Sequence, residues 1–174
     1  MSKPKDILEN DFFGTADYTI PETSNYMKFK EGDNTFRVLS SAVTGFEYYK
    51  ADNKPVRSKT EFESTPDIKV VDGKPTKVNH FWSFIVWNYD AKRVQVLTIT
   101  QKALMKYMKG LIDNPKWGSP RGYDFTVNKV GSGLATEYTF TATPHSPIDL
   151  AILEKYSKMS IDLEALFRGE EVIK

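Results

Sequence analysis

With 174 residues, 40% of them hydrophobic and 27% charged, the chain has the size and make-up of one globular domain with a genuine core. It contains no cysteine, which excludes disulfides, a thiolate nucleophile and cysteine-held zinc or iron. No apolar run approaches a membrane span and Met1–Asp6 lacks the apolar core of a signal peptide, so a non-membrane protein is expected; the lack of cysteine fits an intracellular, reducing compartment, and the net charge of +1 alone suggests no polyanion partner.

Residues 1–27 are polar, with turn signals at Gly14 and Pro21, and are expected to form a partly ordered amino-terminal arm anchored by Phe12 and Phe13. A turn at Glu31–Asn34 opens a strand over Thr35–Leu39. Ser40 and Ser41 interrupt it and Val43–Tyr49 resumes it, which predicts one long strand with a bend. Residues 50–77 hold Pro55, Pro66, Gly73 and Pro75 with little periodicity, as in a long loop that carries at most a short hairpin. Val78–Trp87 and Arg93–Ile99 read as strands joined by turn chemistry at Asn88–Ala91.

The period then changes. Leu104, Met105, Met108, Leu111 and Ile112 follow helical spacing, with Thr98 or Thr100 as the cap and Pro115 as the stop. Lys102, Lys106 and Lys109 form a basic stripe on the other side of that helix, read as its wet face. Tyr123–Val127 and Tyr138–Ala142 alternate cleanly and are joined through the glycines of 130–134. Ser146 followed by Pro147 reads as an N-cap with proline at the first helical position, opening a helix to about Met159. A short helical segment over Ile161–Phe167 ends at Gly169.

A helix between the third and fourth of five strands gives a mainly β chain with the order of an OB-fold. That fold is a five-stranded Greek-key barrel, here with a carboxy-terminal helical extension. The expected organisation is an arm at 1–27, a barrel at 28–145 and the extension at 146–174. In such a barrel the second and third strands, with the loops after strands one and four, form the binding face.

The run His80-Phe-Trp-Ser-Phe-Ile-Val-Trp-Asn-Tyr89 packs five aromatic rings and a histidine into ten residues of the second strand. Charge gathers around it: the balance is −3 over 1–27, +6 over 28–116 and −2 over 117–174. Aromatic rings beside cations suit single-stranded nucleic acid, because bases stack and phosphates attract positive charge. Adjacent strand residues point to opposite faces, so Trp82 and Phe84 share one face while Phe81 and Trp87 share the other. One of these faces lines the barrel. About half of the rings are therefore core, and Trp82 or Trp87 is the stacking platform. Tyr48 and Tyr49 end the first strand, one directed to the core and one available for stacking. Lys50, Lys54, Arg57 and Lys59 follow, with Lys77 before the aromatic run, as candidate phosphate contacts. His80, Tyr89 and Arg93 complete the candidate interface, Arg93 because it can both bind phosphate and stack on a base. No catalytic motif stands out: neither histidine lies in a nucleophile context, and there is no phosphate-binding glycine loop.

Phe29-Lys-Glu-Gly-Asp-Asn-Thr-Phe-Arg-Val-Leu39, His80 through Thr100, and Pro115-Lys-Trp-Gly118 leading into Gly122-Tyr-Asp-Phe125 form three distinctive phrases. Together they resemble the phage-encoded single-stranded DNA-binding proteins related to the helix-destabilising protein of T4-like phages. The resemblance covers residues 28–145. It implies an OB-fold protein, not an enzyme, that protects single-stranded DNA in phage replication, recombination and repair, in the cytoplasm of the infected bacterial host. The implied partners are single-stranded DNA, phage replication or recombination proteins, and further copies of the chain on the strand. T4-type proteins hold a zinc through cysteines and histidine. With no cysteine and two distant histidines, this chain is expected to carry no metal and no cofactor. Lys3 and Lys5 are outnumbered by acids in the arm, and the chain ends Glu170-Glu-Val-Ile-Lys174. Neither a basic cooperative arm nor a long acidic tail is expected. The rival reading is an OB-fold protein-interaction module of a phage replisome that binds no nucleic acid.

Overall fold

The aromatic run becomes the middle of a large antiparallel sheet. In a computed structural model, residues 12–14, 18, 20 and 23–174 are described. Their strands are β1 (Gly32–Val38), β2 (Val43–Tyr49), β3 (Pro55–Ser58), β4 (Val70–Val71), β5 (Lys74–Pro75), β6 (Asn79–Asn88), β7 (Arg93–Ile99), β8 (Asp124–Val130) and β9 (Glu137–Ala142). The helices are α1 (Lys102–Ile112) and α2 (Leu150–Ser157), with a 3-10 turn at Leu163–Arg168. Seven strands form one sheet in the order β3-β2-β6-β1-β8-β9, with β7 pairing along β6. β4 and β5 make a separate hairpin.

The predicted bent strand takes a definite form. β1 and β2 both run antiparallel to β6, with Val38 opposite Val86 and Val43 opposite Ser83. More residues on the first strand than on the second fill that interval, so the backbone bulges at 39–42. The bulge stays bonded: Leu39 N donates to Ile85 O at 2.8 Å, and Ile85 N donates to Ser40 Oγ at 2.8 Å. A serine hydroxyl replaces the missing carbonyl acceptor, which explains why Ser40 marks the break.

The chain is thus mainly β, as the alternation predicts, but the sheet does not close into a barrel. Among the described residues no ladder joins β7 to β9. The free edge of β7 is occupied by residues 25–27 instead: Val96 N donates to Asn25 O and Met27 N to Val96 O, both at 2.8 Å. Met27 enters the core, so the end of the 1–27 segment is part of the body. Phe12 and Phe13 are exposed and pack edge-to-face with each other, with Phe13 stacked on Tyr18, rather than anchoring an arm. The remainder of the arm reading lies outside the described residues.

Two cores flank the sheet. On one side Phe84 and Val86 of β6 meet Phe36, Leu97, Ile99, Tyr123, Phe125 and the Leu104, Met105 and Met108 face of α1. On the other, Phe81, Ile85 and Trp87 are covered by Ile152, Ala165, Leu166, Val172 and Ile173 of the carboxy-terminal extension. β6 is therefore buried on both faces, and this is why its sequence reads as a continuous apolar and aromatic run rather than an alternating one.

Two predicted caps shift. α1 is preceded by Gln101, whose side chain makes no cap bond, rather than being capped by Thr98 or Thr100. α2 begins at Leu150 with Asp149 as its cap, its side chain accepting from Ala151 N at 2.9 Å. Ser146 is taken up elsewhere: its hydroxyl accepts from Arg37 Nη2 and its carbonyl from Arg37 Nη1. Gly169 ends the last turn with φ 69°, the left-handed conformation in which glycine is least strained.

Candidate nucleic-acid interface

The register separates the predicted residues by face. Phe46 lies opposite His80, and Glu47 opposite Asn79, so these two pairs occupy opposite faces of the β2–β6 ladder. On the α1 side a groove of about 580 Å³ opens between the start of β6 and the start of α1. His80 and Phe46 form its aromatic wall, with ring centroids 5.0 Å apart, and Phe62, Lys77 and Lys102 stand around them. Glu61 is the acid on that lining.

On the other face Tyr49 is exposed and lines a shallower groove of about 390 Å³ with Lys69, Val71 and Lys77. The β4–β5 hairpin forms its bank. Asp72 and Gly73 turn that hairpin with positive φ at both positions (51° and 76°), as a tight two-residue turn requires. Lys77 and Asn79 line both grooves, so the two openings meet at the end of the sheet. Lys69 Nζ donates to Asn53 Oδ1 at 2.6 Å. Among the described residues, no carboxylate lies within ion-pair distance of the Lys50, Lys54, Lys69, Lys77 or Lys102 ammonium groups. Burial is the largest cause raising the Tyr49 phenol above its ordinary pKa, so it stays neutral.

Of the twelve predicted site residues, Tyr49, Lys77 and His80 come together here. Lys50 and Lys54 lie at the β2–β3 turn, where Lys50 N donates to Lys54 O at 3.0 Å, and line a separate cleft against the 3-10 turn. Six of the others are engaged in holding the fold, and Trp82 lines a crevice. Tyr48 is buried, packs edge-to-face on Phe62 and donates to Asp67 Oδ1 at 2.6 Å, a bond that raises its pKa. Arg57 Nε donates to the buried Glu47 Oε2 at 2.9 Å and lies over the Phe81 ring. Lys59 pairs with Glu164 at 2.7 Å and sits over Phe167.

Trp87 is buried in the second core, under the Lys155 ammonium. Its ring therefore faces the extension rather than solvent. Tyr89 donates to Asp124 Oδ1 at 2.9 Å, and burial first, then that bond, pushes its phenol up to about 12. Asp124 in turn accepts from the buried Arg37 at 2.7 Å. Arg93 donates to Asn25 Oδ1 at 3.2 Å, tying β7 to the segment on its edge. Trp82 is half-buried on the α1 side, beside a separate crevice.

The grooves also bring in Lys69, Phe46 and Phe62, which the sequence reading does not single out, and Lys102, which it assigns to the wet face of α1. The signal for Lys102 was present in the basic stripe of α1, which places its first lysine at the groove. Lys69 and Phe62 belong to the 50–77 segment, whose folding back onto the sheet has no periodic signature. Among the described residues no group of three His, Cys, Asp or Glu side chains converges to hold a metal, and no helix is long and apolar enough to cross a membrane. No protein-family model matches the chain, and no curated protein or solved structure is found to be similar to it.

Proposed function

We propose that the chain is a sequence-independent single-stranded DNA-binding protein that protects exposed strands during phage replication, recombination and repair in the cytoplasm of the infected host, without catalysis. The observation that carries the reading is the pair of grooves meeting at Lys77. They offer Tyr49 and the His80–Phe46 pair for stacking, and Lys69, Lys77 and Lys102 as cations without acidic partners among the described residues. Stacking is indifferent to base identity and is worth about 1–3 kcal/mol per base, while the lysines track phosphates. The strand path β7-β6-β1-β8-β9, with α1 between β7 and β8, supports an OB-type ancestry in which the barrel stays open.

The test is fluorescence anisotropy of labelled oligo-dT, duplex DNA and RNA across a salt series. Tight binding to oligo-dT, poor binding to duplex and a steep loss with salt are expected. No binding of oligo-dT at low salt would refute the proposal. The rival reading, a protein-interaction module of a phage replisome, is favoured by the tip of the β8–β9 hairpin, where Leu134 is fully exposed and Val130 is 54% exposed. It predicts capture of a protein partner that Leu134→Ser abolishes, with no binding of oligo-dT.

A further inference from the structure

We propose that the crevice beside Trp82 is a second nucleotide-holding site, taking one base of a single strand against the Trp82 ring with its phosphate on Arg121. This inference rests on the single-strand-binding reading above and adds to it where the strand goes. His80, Trp82 and Phe84 alternate onto the same face of β6, each step of two residues advancing about 6.7 Å. The first borders the groove at Lys77, and the next two border the crevice. α1 follows the same course, with Met105 at the groove and Met108 at the crevice. Phe84, Met105 and Met108 are buried between β6 and α1, so a strand entering at Lys77 and Lys102 and leaving at Arg121 would pass over the half-buried Trp82 that stands between the two openings. The opposite face of β6 is closed to it, because the carboxy-terminal extension covers Phe81, Ile85 and Trp87.

The crevice suits one base. Its volume is about 290 Å³, at the foot of the range for small-molecule sites, which fits a single ring rather than a larger ligand. Its walls are Val38, Trp82, Phe84, Met108 and Ile112, and its rim is Arg121 with three serines. Those serines are already engaged. Ser40 Oγ accepts from Ile85 N and donates to Ser41 O, Ser41 Oγ accepts from Arg121 Nη2 at 2.8 Å, and Ser119 Oγ accepts from Arg121 N. The crevice thus presents an aromatic wall and a charge, with the Ser40 hydroxyl committed in both directions and only the Ser41 and Ser119 hydroxyl protons left to meet a base edge. That is the chemistry of sequence-tolerant stacking.

Arg121 is exposed, and among the described residues no carboxylate pairs with its side chain. Its backbone is fixed, because its carbonyl accepts from the buried Arg37 Nη1 at 3.2 Å.

The experiment uses the full chain, labelled oligo-dT and two variants that spare the core. Ala42→Phe fills the mouth of the crevice from an exposed position, and Arg121→Gln removes the charge. Circular dichroism melts confirm that both variants are folded. Ala42→Phe should weaken oligo-dT binding by about fivefold or more, the low end of one lost stack. Arg121→Gln should lower the slope of log affinity against log salt by about 0.7, the share of one phosphate on a single strand. If both variants bind like the parent while Tyr49→Ala and Lys77→Gln bind weakly, the crevice site is overturned and single-strand binding stands. The crevice would then suit an acidic peptide with an apolar anchor. If the parent itself fails to bind oligo-dT at low salt, the functional reading falls and the site with it.

Discussion

Replacing Arg57 by Gln separates a phosphate contact from a structural one. By sequence Arg57 sits in the basic run that follows the first strand, beside Lys50, Lys54 and Lys59. In the fold it lies directly across from Glu47 in the β2–β3 ladder, and its Nε donates to the Glu47 carboxylate at 2.9 Å. The glutamate side chain is 5% exposed and the arginine 16%. Removing one member of a buried pair leaves the other charge desolvated and unpaired, which costs about 3–5 kcal/mol. Water reaches one side of the guanidinium, so the low end, about 3 kcal/mol, is the expected loss.

The stack of Arg57 over Phe81, at 5.9 Å from the ring centroid, adds about 0.5–1 kcal/mol. For a domain of this size each kcal/mol is worth about 2–4 °C in Tm, so Arg57→Gln should melt about 7–16 °C lower. Urea denaturation followed by far-UV circular dichroism measures the loss, with the slope m unchanged if only stability moves. The Glu47→Gln, Arg57→Gln double variant should recover part of it, because no unpaired charge then remains. The reasoning fails if Arg57→Gln costs under about 1 kcal/mol while oligo-dT affinity drops and its salt slope falls by one phosphate contact.

Tyr49→Ala should weaken oligo-dT binding by about tenfold, and Lys77→Gln should lower the salt slope by about 0.7, both read by anisotropy; neither should shift the melt. Tyr89 gives a pH prediction. Its phenol is raised to about 12 in the fold against an ordinary 10, so between those values the folded state binds more protons. Its contribution to stability is complete below pH 10 and is lost as pH rises through 12. The stability difference between the parent and Tyr89→Phe should therefore narrow across that window in urea titrations, and a constant difference would count against the raised phenol pKa, whose first cause is burial and second the Asp124 bond. Gly45→Ala places a Cβ 2.5 Å from the Ser58 carbonyl oxygen and 2.9 Å from the Phe167 ring. It should destabilise by about 3 kcal/mol or more, the upper end for overpacking, because a backbone atom cannot step aside. An unchanged melt would show that β2 and β3 separate more easily than their ladder implies.

Local signals carried the elements well. The alternation of Val43–Tyr49 gives β2 at its observed bounds, the spacing of Leu104, Met105 and Met108 gives the buried face of α1, and Ser40 marks the bulge. Face assignment was harder. Alternation says that Trp82 and Trp87 point oppositely, but which ring meets solvent depends on what covers each face. Trp87 is covered by Ile152 and Val172, residues far along the chain whose own segment reads only as a short helical tail. Closure of the barrel was likewise unreadable, because the β7 edge is taken by residues 25–27 from a stretch that has no strand pattern.

The same physics sorts the cations. A lysine or arginine in a strand, or on a loop lying over the body, has neighbours whose identity local sequence does not give. Arg57 has a glutamate across the ladder, and Lys59 reaches Glu164, more than a hundred positions away. Lys69, Lys77 and Lys102 lie outside the strands of the main sheet and line its two grooves, where among the described residues no carboxylate comes within ion-pair distance of their ammonium groups, Glu61 being the acid on the lining shared by Lys77 and Lys102. A basic run therefore overstates the interface where it lies in the ladder and understates it at strand ends. The surface proposed for a polyanion is set less by where positive charge is dense than by where the fold leaves it un-neutralised beside exposed rings, which in the proposed reading is the pair of grooves meeting at Lys77.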